Sequence, residues 1–264
     1  MTSADETQPI ESYPGAQSVS RAIALLKAFD DVHPEWSLGD LSDHAGLNKT
    51  TVHRLLSALE SEGLIVRTTK SGHYRLGPEL ITLGGSAMRS NALRSAARPE
   101  LESLARETGE SVVLEILMGA HTLILDSAST SDPMSVSQEI GAKLPIHATS
   151  TGKILLALGP QCEIDRITGS PLAALTPNTI TDAKTLRKQL ETIRRQGYAQ
   201  SGGELEIGFV SIAAPILDQD REIAGALGIG GPALRLTEER LPDMVASLQV
   251  AARSISRRLG YRPG

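Results

Sequence analysis

The sequence predicts an α+β protein of two unequal domains, a small N-terminal winged helix-turn-helix followed by a larger domain in which helices cover an antiparallel sheet. Three observations carry that prediction. Two short helical patterns meet at Gly46 and lead into a basic strand-turn-strand. Beyond them, β-branched runs alternate with amphipathic stretches without a strict βαβ repeat. Finally, 264 residues exceed one ordinary domain and suffice for two separate cores.

The first fifteen residues are polar and slightly acidic and are expected to form a disordered tail. The winged helix-turn-helix is expected over residues 16–77. From Ser18 to Phe29, Val19, Ala22, Ile23, Leu26 and Phe29 recur at three- and four-residue steps, which predicts a helix with that face buried. Ser37 and Asp40 have capping-box spacing, and Trp36 is placed to staple against Leu41. The second helix carries Leu38, Leu41 and Ala45 and stops at Gly46. Asn48 is the expected cap of a third helix, in which Val52, Leu55, Leu56 and Leu59 fall within one narrow arc. The opposite arc carries Thr50, Arg54 and Ser57, with Lys49 and Thr51 in the first turn and His53 on the edge. Leu64 to Thr69 and His73 to Leu76 read as strands joined by a turn at Lys70, Ser71 and Gly72.

The chain carries a formal charge of −5, so its overall balance does not advertise nucleic-acid binding. The basic residues are unevenly placed, however. Lys49, His53 and Arg54 lie in one stretch without an acid, and Arg67, Lys70, His73 and Arg75 lie in another. A helix with a polar outer arc can enter a major groove, and a basic hairpin beside it can lie along phosphates. The expected DNA contacts are therefore Lys49, Thr50, Thr51, His53, Arg54 and Ser57 on the helix, with Arg67, Lys70 and His73 on the wing.

The run Ser18 to Gly77, centred on Leu47-Asn48-Lys49-Thr50-Thr51-Val52-His53-Arg54-Leu55-Leu56 and closed by Tyr74-Arg75-Leu76-Gly77, resembles the DNA-binding domain of the IclR family of bacterial regulators. The resemblance implies a sequence-specific regulator acting on double-stranded DNA at a pseudo-palindromic operator, as a homodimer or a dimer of dimers in the cytoplasm.

Downstream, residues 78–98 are expected to form a linker helix interrupted by Gly84-Gly85, and residues 99–264 an effector-binding domain opened by Pro99 in the first turn of another helix. Val112 to Met118 and His121 to Asp126 read as one hairpin, and Phe209 to Leu217 and Glu222 to Ile229 as a second. Thr181 is the expected cap of a helix with Leu186, Leu190 and Ile193 inward, and the last helix carries Leu241, Val245, Leu248, Ala252, Ile255 and Leu259.

The most informative downstream segment is Leu144 to Leu158, in which a hydroxyl-rich turn enters a helix through Thr149, Ser150, Thr151, Gly152 and Lys153. Outward-facing amides at such a start favour an anion, and N-capping by Thr149 or Ser150 is the competing reading. A nucleotide P-loop is excluded, because His147 stands at the required first glycine and Ile154 follows Lys153. The same His147-to-Lys153 run resembles the effector segment of the IclR family, and the match continues through Glu204, Gly208 and Ile212-Ala213-Ala214-Pro215. That resemblance implies a GAF-like domain whose pocket takes a small carboxylate at the amides of Ser150 and Thr151, with Ser211 on a strand and Met134 and Val136 as an apolar wall. His147, Thr149, Gly152, Glu204, Gly228 and Gly230 complete the expected set. Gly228 and Gly230 replace serines of keto-acid-binding relatives, which is expected to enlarge the pocket for an aromatic acid.

No nucleophile with a base, carboxylate pair or metal-ligand cluster appears at a recognisable spacing, so neither catalysis, a metal nor a cofactor is expected. Hydrolysis of a small molecule in the C-terminal domain is the alternative. Cys162, the single cysteine, excludes an internal disulfide; His33, His44 and His121 are expected at the surface; and no apolar run is long enough to span a membrane.

Overall fold

The structure is a computed structural model that describes residues 16–68, 72–129 and 139–262. The chain divides between Ser90 and Asn91 into two compact units. The expected tail over residues 1–15 lies outside the described residues.

The first unit runs α1 (Gln17–Lys27), β1 (Glu35–Trp36), α2 (Leu38–Ala45), α3 (Lys49–Ser61), β2 (Ile65–Arg67), β3 (Tyr74–Leu76) and α4 (Pro78–Arg89). Local chemistry sets the joint between α2 and α3. Ser37 Oγ accepts from the Asp40 amide at 3.1 Å and opens α2, while Gly46, at φ +63°, closes it in a left-handed conformation that a side chain would disfavour. Asn48 Oδ1 then accepts from the Thr51 amide at 2.8 Å, so α3 starts after a two-residue turn. Leu25, Leu41, Val52, Leu56 and Ile65 are fully buried and form the centre of this unit.

Trp36 joins the cluster that contains Leu41, as the staple requires, and is fixed in two further ways. Its indole donates to the Ala28 carbonyl at 3.0 Å, and its ring lies 5.0 Å from each of His33 and His44. It also belongs to β1, which the sequence analysis missed and which pairs with β3 opposite Tyr74, giving a small sheet of order β1-β3-β2. The buried face of α1 is a correction. Leu25 is the fully buried residue there, whereas Val19 and Ile23 are exposed, because the core lies against the stripe one position further round.

The stretch expected as a single linker helix is two helices. Gly84 and Gly85 lie inside α4 without ending it, and the break falls at Ser90, after which Asn91 caps α5 (Ala92–Thr108) by accepting from the Arg94 amide at 2.9 Å. Pro99 is therefore inside α5 and not in its first turn. Its missing N–H leaves one turn of the helix without a backbone bond.

The second unit continues with β4 (Ser111–Met118), β5 (His121–Ala128), β6 (Lys143–Pro145), α6 (Ser150–Leu158), α7 (Gln161–Thr168), α8 (Ala183–Gln196), β7 (Ala199–Gly202), β8 (Phe209–Leu217), β9 (Ile223–Pro232) and α9 (Leu241–Arg258). Both expected hairpins form. They meet through β4 and β9 in a six-stranded antiparallel sheet of order β6-β5-β4-β9-β8-β7. The short edge strands β6 and β7 escaped sequence analysis, since three or four residues carry too little periodicity to register, and the eight-residue helix α7 was missed as well. The cap of α8 is Asp182 and not Thr181: Asp182 Oδ2 takes both the Thr185 amide (2.8 Å) and its hydroxyl (2.7 Å).

Helices α5 and α9 pack together on the sheet, while α6 lies on it with α7 and α8 behind. From Ser150 to Ala157 every residue of α6 is buried, so this short helix is a core element despite its polar first turns. No described helix is long and apolar enough to cross a membrane.

The tight seat of α6 makes a prediction. A Cβ on Gly152 would lie 2.2 Å from the Ile146 carbonyl oxygen, backbone against backbone. Gly152→Ala should destabilise the protein by about 3 kcal/mol or more, at or beyond the upper end of overpacking effects, whereas exposed Ser57→Ala should change stability by less than about 0.5 kcal/mol. Urea denaturation of the two variants measures the difference.

Candidate nucleic-acid interface and effector pocket

Helix α3 separates its residues cleanly by side. Val52, Leu55, Leu56 and Leu59 are buried, whereas Lys49, Thr50, His53, Arg54 and Ser57 are exposed and Thr51 is half-buried. None of those five exposed side chains has a hydrogen bond or ion pair among the described residues. The face is cationic, with donors uncommitted to the protein itself. On the wing, Arg67 is exposed, donates through Nε to the Gly72 carbonyl at 3.3 Å and holds its guanidinium 5.8 Å from the Tyr74 ring centre. Arg67 thus braces the turn as well as offering charge. His73 is half-buried, its carbonyl accepting from the Thr68 amide at 2.7 Å, and Arg75 is exposed on β3. Lys70 lies outside the described residues.

The hydroxyl-rich turn before α6 opens onto a narrow cavity between the helix start and the sheet. Thr149 caps the helix by accepting from the Gly152 amide at 3.0 Å. Ser150 Oγ donates to Ser211 Oγ on β8 at 2.9 Å, and Thr151 Oγ1 donates to Glu115 Oε2 on β4 at 2.7 Å. The helix start is thereby tied to two different strands. Ser150 and Thr151 of the first turn line this internal cavity and are buried, where the sequence suggested an outward-facing helix start.

Six expected effector residues line the cavity: Thr149, Ser150, Thr151, Ser211, Gly228 and Gly230. Three do not. His147 is turned away, its Nε2 2.9 Å from the Ala173 carbonyl; Gly152 is packed on Ile146; and Glu204 is engaged by Lys153. Met134 and Val136 lie outside the described residues. Sequence analysis missed Glu115, Val113, Leu205 and Phe209 in the wall. Glu115 had a legible signal, as a lone acid at an inward position of an otherwise apolar strand.

The expectation that Gly228 and Gly230 enlarge the pocket is not met. A Cβ at Gly228 would lie 2.7 Å from the Thr151 methyl, and one at Gly230 would lie 2.6 Å from Phe209 Cζ. The space released by the missing side chains is filled by those two residues, so the glycines admit neighbours from α6 and β8.

Lys153 is completely buried and forms an ion pair with Glu204 Oε1, while Glu204 Oε2 is buried with no hydrogen-bond partner among the described residues. Burial lowers the lysine pKa from its ordinary value, and the Glu204 carboxylate opposes that shift. The hydroxyls of Thr176 and Thr179 donate to the carbonyls of Gly203 and Glu204, each at 2.6 Å, and so hold the turn that presents the acid. Glu115 is 1% exposed, and its pKa is raised mainly by burial, with hydrogen bonding from hydroxyls opposing.

Two outcomes follow for stability. Lys153→Met should cost about 3–5 kcal/mol by leaving Glu204 charged and unpaired, and the double variant Lys153→Met/Glu204→Leu should recover most of it; chemical denaturation of both decides. A carboxyl whose pKa is raised by folding contributes stability that is complete below its unfolded pKa and is lost as pH rises through the folded value. Glu115→Gln should therefore match the wild type in melting temperature at acid pH and exceed it increasingly above the ordinary carboxylate range.

Comparison with known proteins agrees with this architecture. Residues 18–69 match the IclR helix-turn-helix domain, and residues 85–257 match the bacterial transcriptional regulator IclR C-terminal domain. The glycerol operon regulatory protein of Streptomyces coelicolor is 36% identical over 246 residues, covering 92% of this chain and 96% of that protein. Among solved structures, an IclR transcriptional regulator from Silicibacter sp. TM1040 is 34% identical with a TM-score of 0.85, covering 94% of this chain and 98% of that one. An IclR homologue from Microbacterium hydrocarbonoxydans, solved in complex with 4-hydroxybenzoate, is 28% identical with a TM-score of 0.78 and covers 92% and 98% of the two chains. With both of its domains matched and the relatives aligned over nearly their full length, the chain belongs to the IclR family of bacterial transcriptional regulators.

Proposed function

We propose that this regulator binds a specific DNA site through α3 and the wing, and that a small aromatic carboxylic acid in the second unit sets its DNA affinity. The observation that carries the DNA half is the uncommitted cationic face of α3, whose leucines hold it in place from behind. Thr50, Arg54 and Ser57 read base edges, with Lys49, Thr51 and His53 at the margin of the groove, while Arg67, Lys70 and His73 follow phosphates. A homodimer acting on a pseudo-palindromic operator fits the apolar side chains left exposed in the first unit, Val19 and Ile23 on α1 and Ile81 and Leu83 on α4.

In the pocket, the amides of Ser150 and Thr151 take the effector carboxylate, helped by the α6 dipole, and Ser211 donates or accepts beside them. Leu144, Val113 and Phe209 supply an apolar wall for a ring. The 4-hydroxybenzoate held by the Microbacterium hydrocarbonoxydans relative supports an aromatic acid here. Regulation follows from linkage: the effector changes DNA affinity only by the difference between its affinities for the two states of the protein.

Arg54→Ala should weaken operator binding by about 1–3 kcal/mol and relax sequence preference, whereas Arg67→Ala should weaken all sequences alike and reduce the salt slope by about one. Fluorescence anisotropy with operator and scrambled duplexes across a salt series separates them, and identical behaviour of the two variants would remove the division between reader and clamp. Benzoate or 4-hydroxybenzoate should change operator affinity by roughly 5–150-fold. A response to glyoxylate or pyruvate and none to either aromatic acid would overturn the aromatic class.

A further inference from the structure

Among the described residues, the pocket is lined by a single ionisable side chain, the acid Glu115. Among the described residues no lysine, arginine or histidine lines the cavity. The nearest cation in sequence, Lys153, is spent on Glu204, and His147 is directed at the Ala173 carbonyl. Glu115 projects from β4 at the point where its register against β5 shifts, between Leu114 and Glu115. Its Oε2 accepts from Thr151, the second residue of α6. The acid thus sits one side chain away from the amides assigned above to the effector carboxylate.

Two carboxylates around one threonine, in a buried site without a cation, do not both stay ionised. Like charges at such separation raise one of the two pKa values strongly, and the pair titrates as a unit. We propose, building on the carboxylate-effector reading above, that Glu115 is the residue that fixes the acid end of the effector, through one proton shared between its carboxyl and the effector carboxylate. Where Glu115 is ionised in the empty pocket, the proton comes from solvent with an effector that arrives ionised and binding takes up one proton per site; where Glu115 is already protonated, it supplies the shared proton itself. No covalent bond forms or breaks.

The surroundings leave no other group to neutralise the pair. Opposite Glu115 the sheet places Ile124 on β5 and Ala226 on β9, and α6 presents Thr151. The buried Asp126 pairs with Leu114, whose side chain points to the other face of the sheet, and there it is held by Arg94 and Arg98 of α5. Those two arginines are therefore committed away from the pocket. Burial already favours the protonated form of Glu115 before any effector enters. The arrangement selects against dianionic ligands, for which a single proton leaves a charge uncompensated.

Isothermal titration of the full-length protein with benzoate, in buffers of different ionisation enthalpy and from about pH 5.5 to about pH 8.5, tests the assignment. Proton uptake by the wild type should rise with pH toward one per site as empty Glu115 ionises, and its affinity should fall by up to about tenfold per pH unit over the same range. Glu115→Gln, which keeps a hydrogen-bond donor, should bind benzoate with no proton uptake and a flat pH profile; its melting curve establishes that it is folded. Binding by the wild type with no proton uptake at any pH in this range, or the same pH slope in Glu115→Gln, overturns the role of Glu115 while leaving the carboxylate effector in place. If neither benzoate nor 4-hydroxybenzoate binds the wild type at any of these pH values, the carboxylate reading falls and this assignment falls with it.

Discussion

The burial of α6 governs the second unit. A nine-residue helix that is enclosed along nearly its whole length must find partners for Thr149, Ser150, Thr151 and Lys153 inside the protein. Each partner comes from a different part of the chain: the helix's own Gly152 amide, Ser211 on β8, Glu115 on β4 and Glu204 in the turn after β7. These bonds draw one helix start, two strands and one turn to the same place. The cavity is the space left where they converge, so the polar groups that satisfy the fold are also those that line it.

That dual use gives the pocket its character. Hydroxyl-bearing residues line it, apolar side chains close it, and its one acid among the described residues lies next to the helix start. A buried lysine is present in the same helix, but its charge is neutralised by Glu204 and serves to lock the turn after β7. The glycines of β9 play a packing role in the same scheme. They let Thr151 and Phe209 approach the sheet, and thereby set how close α6 can lie to it. Any displacement of α6 or Phe209 changes these contacts together.

The first unit follows a different logic, in which little is shared between stability and function. Two side-chain caps and a left-handed glycine turn set the angle of α2 to α3, and the leucines of α3 anchor it. The cationic arc is surplus to that fold, with no described partner for its side chains. The wing is less separable, because Arg67 both closes its turn and rests near the Tyr74 ring.

Where the determinants lie within a few residues of one another, the chain itself was sufficient. The capped joint between α2 and α3, the inward leucines of α3, both long hairpins and the hydroxyl-rich start of α6 were all legible, because caps, turns and periodicity act over a turn or a strand pair. Tertiary structure alone decided which face of α1 is buried, where the helix after α4 begins, and what surrounds the cavity. Glu115 meets Thr151 across 36 residues and Lys153 meets Glu204 across 51. Phe209 fills the place of a side chain missing from Gly230. Such pairings depend on sheet order and on how closely layers pack, and no local pattern encodes either.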